Sequence, residues 1–205
     1  HIWNCTGTRT RAIRESLGKM NLFGIIGYPL GHSFSQYYFE EKFRREKLQD
    51  CIYKNFELPE ISQLSEILEN KSLLGLNVTI PYKEQVLDYC SFVSPEVEEI
   101  GAANTILVLD TGCKAFNTDY IGFRESLKDL PFDHSKKALV LGSGGSSKAV
   151  NYALKTIGLE SIIASRNPDS NQIGYRDLDE KIMNSVSLIV NCTPLGMEPD
   201  LESTP

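Results

Sequence analysis

The chain is predicted to be an α/β protein in two units, each with a mainly parallel sheet covered by helices. Three features point there. Short apolar runs alternate with segments whose apolar residues recur at helical spacing, proline or glycine punctuates the junctions, and a glycine-rich turn joins one run directly to one helical segment.

Residues 21–28 (NLFGIIGY) are an apolar run followed by Pro29 and Gly31, and read as a buried strand. A helix follows, which Ser33 or Ser35 can cap and in which Tyr38, Phe39, Phe43 and Leu48 form an apolar stripe. Residues 51–58 are a second strand, and Pro59 opens a helix carrying Ile61, Leu64, Ile67 and Leu68. Residues 74–80 (LGLNVTI) form a third strand, with Pro81 again at a helix start. This β-α-β-α-β-α order implies a mainly parallel sheet.

Residues 105–110 and 113–117 then form a hairpin about Thr111-Gly112, and a helix spans about 119–129. Leu130-Pro131 and the polar stretch to Lys137 mark the passage to a second unit. There, residues 138–141 are a strand, 142–147 its turn, 148–156 its helix and 161–164 a second strand. A short helix near 177–183 leads to a further strand at 186–190. The two units are assigned to residues 20–122 and 123–205. Residues 1–19 lack a period and read as an extension upstream of a native start at Met20.

Composition narrows the function. A net charge of −6, with acids and bases interleaved, argues against a nucleic-acid or anionic-membrane surface. The five cysteines (Cys5, Cys51, Cys90, Cys113, Cys192) include no CxxC pair, so neither a disulfide framework nor a metal site is suggested, and a reducing cytoplasm fits. No apolar stretch reaches the roughly 18 residues of a membrane span.

Five motifs carry chemistry. GSGGSS, residues 142–147, stands between a strand and a helix. Its glycines let a pyrophosphate approach the backbone, and the helix start offers free N–H groups, so Gly142, Ser143, Gly144, Gly145 and Ser146 are candidate dinucleotide contacts. Where an NAD enzyme would hold a carboxylate, this chain has Ser165-Arg166-Asn167. Arg166 is either a contact for a 2′-phosphate, favouring NADP, or a solvated loop cation.

NVTIPYK places Lys83 at a strand end, and FNTDYIGF places Asp119 just after a strand, as a helix cap or a reactive carboxylate. GYPLGHSFS brings Ser33 and Ser35 to another such turn, and GAANT brings the Asn104 amide to the same sheet edge.

In this order, over residues 21 to about 200, the motifs resemble those of shikimate dehydrogenases. The resemblance implies an N-terminal substrate domain and a Rossmann NADP-binding domain. It implies NADP-dependent hydride transfer reducing 3-dehydroshikimate to shikimate, in a cytoplasmic monomer or homodimer with a small-molecule substrate. It assigns Ser33, Ser35, Thr79, Lys83, Asn104 and Asp119 to the substrate, with Lys83 and Asp119 as the catalytic pair.

Gln36 stands where the family has a proline, and the family's Asn-Arg-Thr clamp appears as Ser165-Arg166-Asn167. NCTPLGM resembles the segment beside the nicotinamide and adds Thr193 and Met197. The chain ends at Pro205, short of the family's last few dozen residues, so the Rossmann unit is expected to be incomplete. Two further readings stand beside this one: a quinate/shikimate dehydrogenase with relaxed cofactor use, and a ligand-binding fragment of impaired activity.

Overall fold

Two β-sheets, each flanked by helices, make up a computed structural model that describes residues 20–31, 34–197 and 201–205. The extension read at residues 1–19 and the hydroxyl of Ser33 lie outside the described residues.

The first sheet has six strands in the order β2-β1-β3-β5-β6-β4. β1 (Asn21–Gly27) is central, pairing in parallel with β2 (Cys51–Glu57) and β3 (Leu73–Val78). β5 (Thr105–Leu109) runs antiparallel to β3 and turns at Thr111-Gly112 into β6 (Gly112–Phe116). β4 (Phe92–Val93) closes the edge beside β6.

The apolar run of β1 is buried because it has neighbours on both sides and helices over the sheet. Ile26, Leu76 and Ile106 from three adjacent strands are almost wholly buried, and Leu64 of α2 (Leu64–Leu68) joins them. Ile26→Ala is expected to cost about 2 to 5 kcal/mol, the range for truncating a core side chain that cannot be replaced by water. Urea unfolding measures it, and a loss below about 1 kcal/mol would show that this centre tolerates a void.

α1 (Phe34–Arg45) rests on this sheet through Phe39, stacked on Tyr53 at 4.5 Å between ring centres, and Phe43, 5.8 Å from Phe23. The expected stripe is narrower than its spacing suggests. Tyr38 stays exposed, and Leu48 falls beyond the helix end, where the chain already turns towards β2.

The helix expected after Pro81 is replaced by turns and a 3₁₀ helix, Gln85–Tyr89. The Lys83 carbonyl accepts from Ala103 N–H at 2.7 Å and is therefore spent on the neighbouring chain instead of an α-helical turn. One helix was not expected at all. α3 (Pro95–Ile100) is capped by Ser94, whose hydroxyl accepts from Val97 N–H, and ends on Gly101 in the left-handed region.

The second sheet, in the order β10-β7-β8-β9, is wholly parallel. It comprises β7 (Lys137–Leu141), β8 (Ser161–Ser165), the short β9 (Ile173–Gly174) and β10 (Val186–Asn191). α4 (Asp119–Ser126) packs against α5 (Gly145–Thr156), with Tyr120 edge-on to Tyr152 at 5.0 Å. α5 starts three residues earlier than expected, so Ser146 and Ser147 belong to its first turn. A short helix, α6 (Glu180–Asn184), precedes β10. Among the described residues no helix is long and apolar enough to cross a membrane.

Candidate functional site

The strand directions bring the chemistry-bearing residues of the first sheet to one edge. β1, β3 and β6 run one way and β5 the other, so the residues just after β3 and β6 meet the residue just before β5. Those positions hold Lys83, Asp119 and Asn104.

Lys83 Nζ donates to Asp119 Oδ2 at 2.7 Å, and Asn104 Nδ2 donates to Asp119 Oδ1 at 2.6 Å. Each carboxylate oxygen thus has its own donor, which fixes both the plane of the group and the end of the lysine. The Lys83 side chain is only 15% exposed. Asn104 is itself held, because its Oδ1 accepts from Thr118 N–H at 2.8 Å.

Asp119 begins α4, yet it does not cap that helix. The neighbouring Asn117, 4% exposed, accepts the N–H groups of Asp119 and Tyr120 on its Oδ1 and donates to the Ala102 carbonyl. With the helix start served by Asn117, the Asp119 carboxylate is left for Lys83 and Asn104. Asn117 lies inside FNTDYIGF but is not distinguished there, since only its contacts separate an orienting amide from an ordinary loop residue.

Thr79 follows β3 directly, its N–H donating to the Ile26 carbonyl, and its methyl group fills the space a side chain on Gly27 would need. Ser35 lies half-buried in the first turn of α1.

The opposing edge belongs to the second sheet. The turn after β7 has Gly142 at φ +104°, where a Cβ would meet the Cys192 carbonyl group at 3.2 Å, so glycine is required. A Cβ on Gly144 would touch nothing within 4 Å, leaving open room above the start of α5, where Gly144 makes no side-chain cap. Ser143 and Ser165 share a hydroxyl hydrogen bond at 3.0 Å, tying the turn to the end of β8, and the Ser165 hydroxyl also accepts from Asn167 N–H. Arg166 and Asn167 are exposed beside it, and among the described residues no carboxylate pairs with Arg166.

Thr193 binds Asn191 Oδ1 through both its N–H and its hydroxyl, shaping the loop after β10, whereas Met197 is exposed. Cys192 lies within the field of Lys83. Burial pushes its thiol up to about 11, against the opposing effect of the ammonium.

The edges touch beside the Lys83 group, next to the packing of Ile100 and Ala102 on Ala149. Lys83 Nζ donates to Ser146 Oγ at 3.2 Å, Gly145 packs against Lys83 and Ala102, and Lys148 pairs with Glu84 at 2.6 Å. Of the residues singled out from sequence, Lys83, Asn104, Asp119 and Ser146 form one bonded group. Thr79 lies nearby on the same sheet edge, and Arg166, Asn167 and Met197 stand apart from the group, on the rim.

Open room at a glycine-lined helix start, next to an ammonium held at the edge of the other sheet, is an arrangement in which α/β proteins receive anionic ligands such as dinucleotides. Residues 25–106 match the family model of the shikimate dehydrogenase substrate binding domain. A shikimate dehydrogenase (NADP(+)) from Caldicellulosiruptor bescii is 35% identical, aligned over 88% of this chain and 68% of the relative.

Among solved structures, shikimate dehydrogenase 1 from Peptoclostridium difficile superposes with a TM-score of 0.75 at 35% identity, covering 91% of this chain and 71% of that one. The Thermus thermophilus shikimate 5-dehydrogenase in complex with NADP(H) and shikimate does so with a TM-score of 0.78 at 32% identity, covering 91% and 73%. The chain belongs to the shikimate dehydrogenase family.

Proposed function

We propose that this protein is an NADP-dependent dehydrogenase interconverting 3-dehydroshikimate and shikimate, within aromatic amino acid (chorismate) biosynthesis. The observation that carries the reading is the Lys83–Asp119–Asn104 group at the sheet edge, in direct contact with the glycine turn through Ser146. Of the relatives named above, one is a shikimate dehydrogenase (NADP(+)) and another is solved in complex with NADP(H) and shikimate.

The residues present fit the dinucleotide. Gly142 and Gly144 clear the backbone at the start of α5, and Arg166 offers a planar cation free of protein partners among the described residues. When bound, NADPH supplies a hydride to the ring ketone carbon.

The chain's own residues then manage the oxygen. Lys83 donates its proton to that oxygen as negative charge develops on it, giving the hydroxyl, and regains a proton from solvent. Asp119 holds the ammonium in place and offers a carboxylate to a ring hydroxyl. Ser33, Ser35, Thr79 and Asn104 supply the donors and acceptors that a polyhydroxy acid demands and an apolar ring would leave unpaired. In the oxidative direction Lys83 takes the proton.

The substrate falls to the first sheet and the cofactor to the second. The four described cysteines are all free thiols, which suits a cytoplasmic enzyme, with a small molecule as partner instead of nucleic acid or membrane.

The test is consumption of NADPH by the full-length protein when 3-dehydroshikimate is added, with quinate and NAD as the competing pair. A protein that oxidises quinate with NAD and ignores 3-dehydroshikimate overturns the assignment. The cofactor choice has its own test in Arg166→Ala. It is expected to raise the KM for NADPH about 10- to 100-fold, the loss of a charge-assisted phosphate contact, and to leave NADH nearly unaffected. Equal weakening of both cofactors would make Arg166 structural.

A further inference from the structure

The glycine turn carries a hydroxyl whose side-chain partner lies at the edge of the first sheet instead of within the turn. Ser146, in the first turn of α5, accepts a hydrogen bond from Lys83 Nζ at 3.2 Å. Capping does not account for it, because the N-cap is Gly144 and the Ser146 side chain accepts from Lys83.

An ammonium carries three N–H donors. With Asp119 alone as acceptor, it could swing on its flexible stem about that one contact. Asp119 Oδ2 at 2.7 Å and Ser146 Oγ at 3.2 Å take two donors from the starts of two different helices, so the direction of the third is set.

The approach of α5 is itself enforced. A Cβ on Gly145 would come within 2.9 Å of Lys83 Cβ and 3.4 Å of Ala102 Cβ, so the helix is seated as closely as a glycine allows. One turn further, the Lys148–Glu84 ion pair holds the same two segments in register.

We propose that Ser146 is a positioning residue for Lys83, aiming the proton-transferring ammonium from the very turn that receives the dinucleotide phosphates. One face of a single helical turn thereby serves the cofactor through its backbone, and the other serves the acid through a side chain. This inference rests on the role given to Lys83 above.

Ser146→Ala in the full-length enzyme is expected to lower kcat about tenfold, with the KM for 3-dehydroshikimate and the Kd for NADPH, read by fluorescence titration, within about twofold of wild type. Ser146→Thr, which keeps the hydroxyl, should recover most of the loss. In a Lys83→Met background the change at Ser146 should add nothing, since the two residues act as one unit.

A further readout needs no turnover. In ligand-free protein labelled with ¹⁵N-lysine, the Lys83 ammonium resonance should be sharp in wild type and broadened in Ser146→Ala as the group loses its second acceptor. An unchanged kcat, a loss confined to NADPH affinity, a full further loss in the Lys83→Met background, or an unaltered ammonium resonance would each overturn the proposal. A wild-type enzyme inert towards 3-dehydroshikimate would instead sink the substrate reading, while the ammonium resonance still reports on the Ser146 contact.

Discussion

Lys83→Ala is expected to lower kcat by about 100-fold or more while moving KM little, the signature of an interaction made mainly in the transition state. The substrate would still be met by the hydroxyls and the amide around it, so its ground-state binding should persist. What disappears is the proton delivered to the developing alkoxide, and water entering the gap is neither held nor acidic enough to replace it.

Folding should survive, because the side chain ends at the sheet edge and its loss leaves Asp119 still bonded to Asn104 and 36% exposed to water. Steady-state kinetics with saturating NADPH decides the matter. A kcat within a few-fold of wild type would remove Lys83 from the mechanism.

Gly145→Val is the second large effect expected, and it acts on stability and turnover together. Replacing a helical glycine ordinarily stabilises by roughly 0.5 to 1 kcal/mol through chain entropy. Here that gain meets a Cβ–Cβ approach of 2.9 Å to Lys83, well inside the roughly 3.5 to 4.0 Å of a normal carbon contact. The two Cβ atoms in the way are fixed to the backbone, the Lys83 Cδ at 3.4 Å alone being free to shift, and valine adds two methyl groups beyond its own Cβ.

Overpacking of this kind costs about 1 to 3 kcal/mol. With a β-branched residue at a helix start, the balance is a net loss, expected as a fall in Tm of several degrees for a chain of this size. Because α5 must retreat from Lys83, kcat should fall more than tenfold as well. A variant that melts and turns over like wild type would show that the two sheets are not seated against each other here.

Most of the strands and the hairpin at Thr111-Gly112 were legible because they depend on local apolar runs and turn residues. α3 has its own signals, Ser94-Pro95 at its start and Gly101 at its end, but it is only six residues long and lies between stronger ones.

The turns after Pro81 were not legible. What prevents a helix there is the Ala103 N–H, which reaches Lys83 from 20 positions away along the chain. Placement at strand ends, together with the family resemblance, gave Lys83, Asn104 and Asp119 a common sheet edge. It did not foretell that Asn117 frees Asp119 from capping, or that Ser146 faces the lysine, because both depend on how one backbone lies against another.

The six-stranded sheet draws all its strands from residues that precede Asn117, whereas Ser146 follows Asp119 by 27 positions. During synthesis at about 5 to 20 residues per second, the carboxylate, the later-made member of the pair, leaves the ribosome roughly 1 to 5 s before the serine does. Both members of the ion pair are thus synthesised before the second sheet. α5 is made after both partners, and the bare glycine at 145 is what lets it seat without displacing the pair.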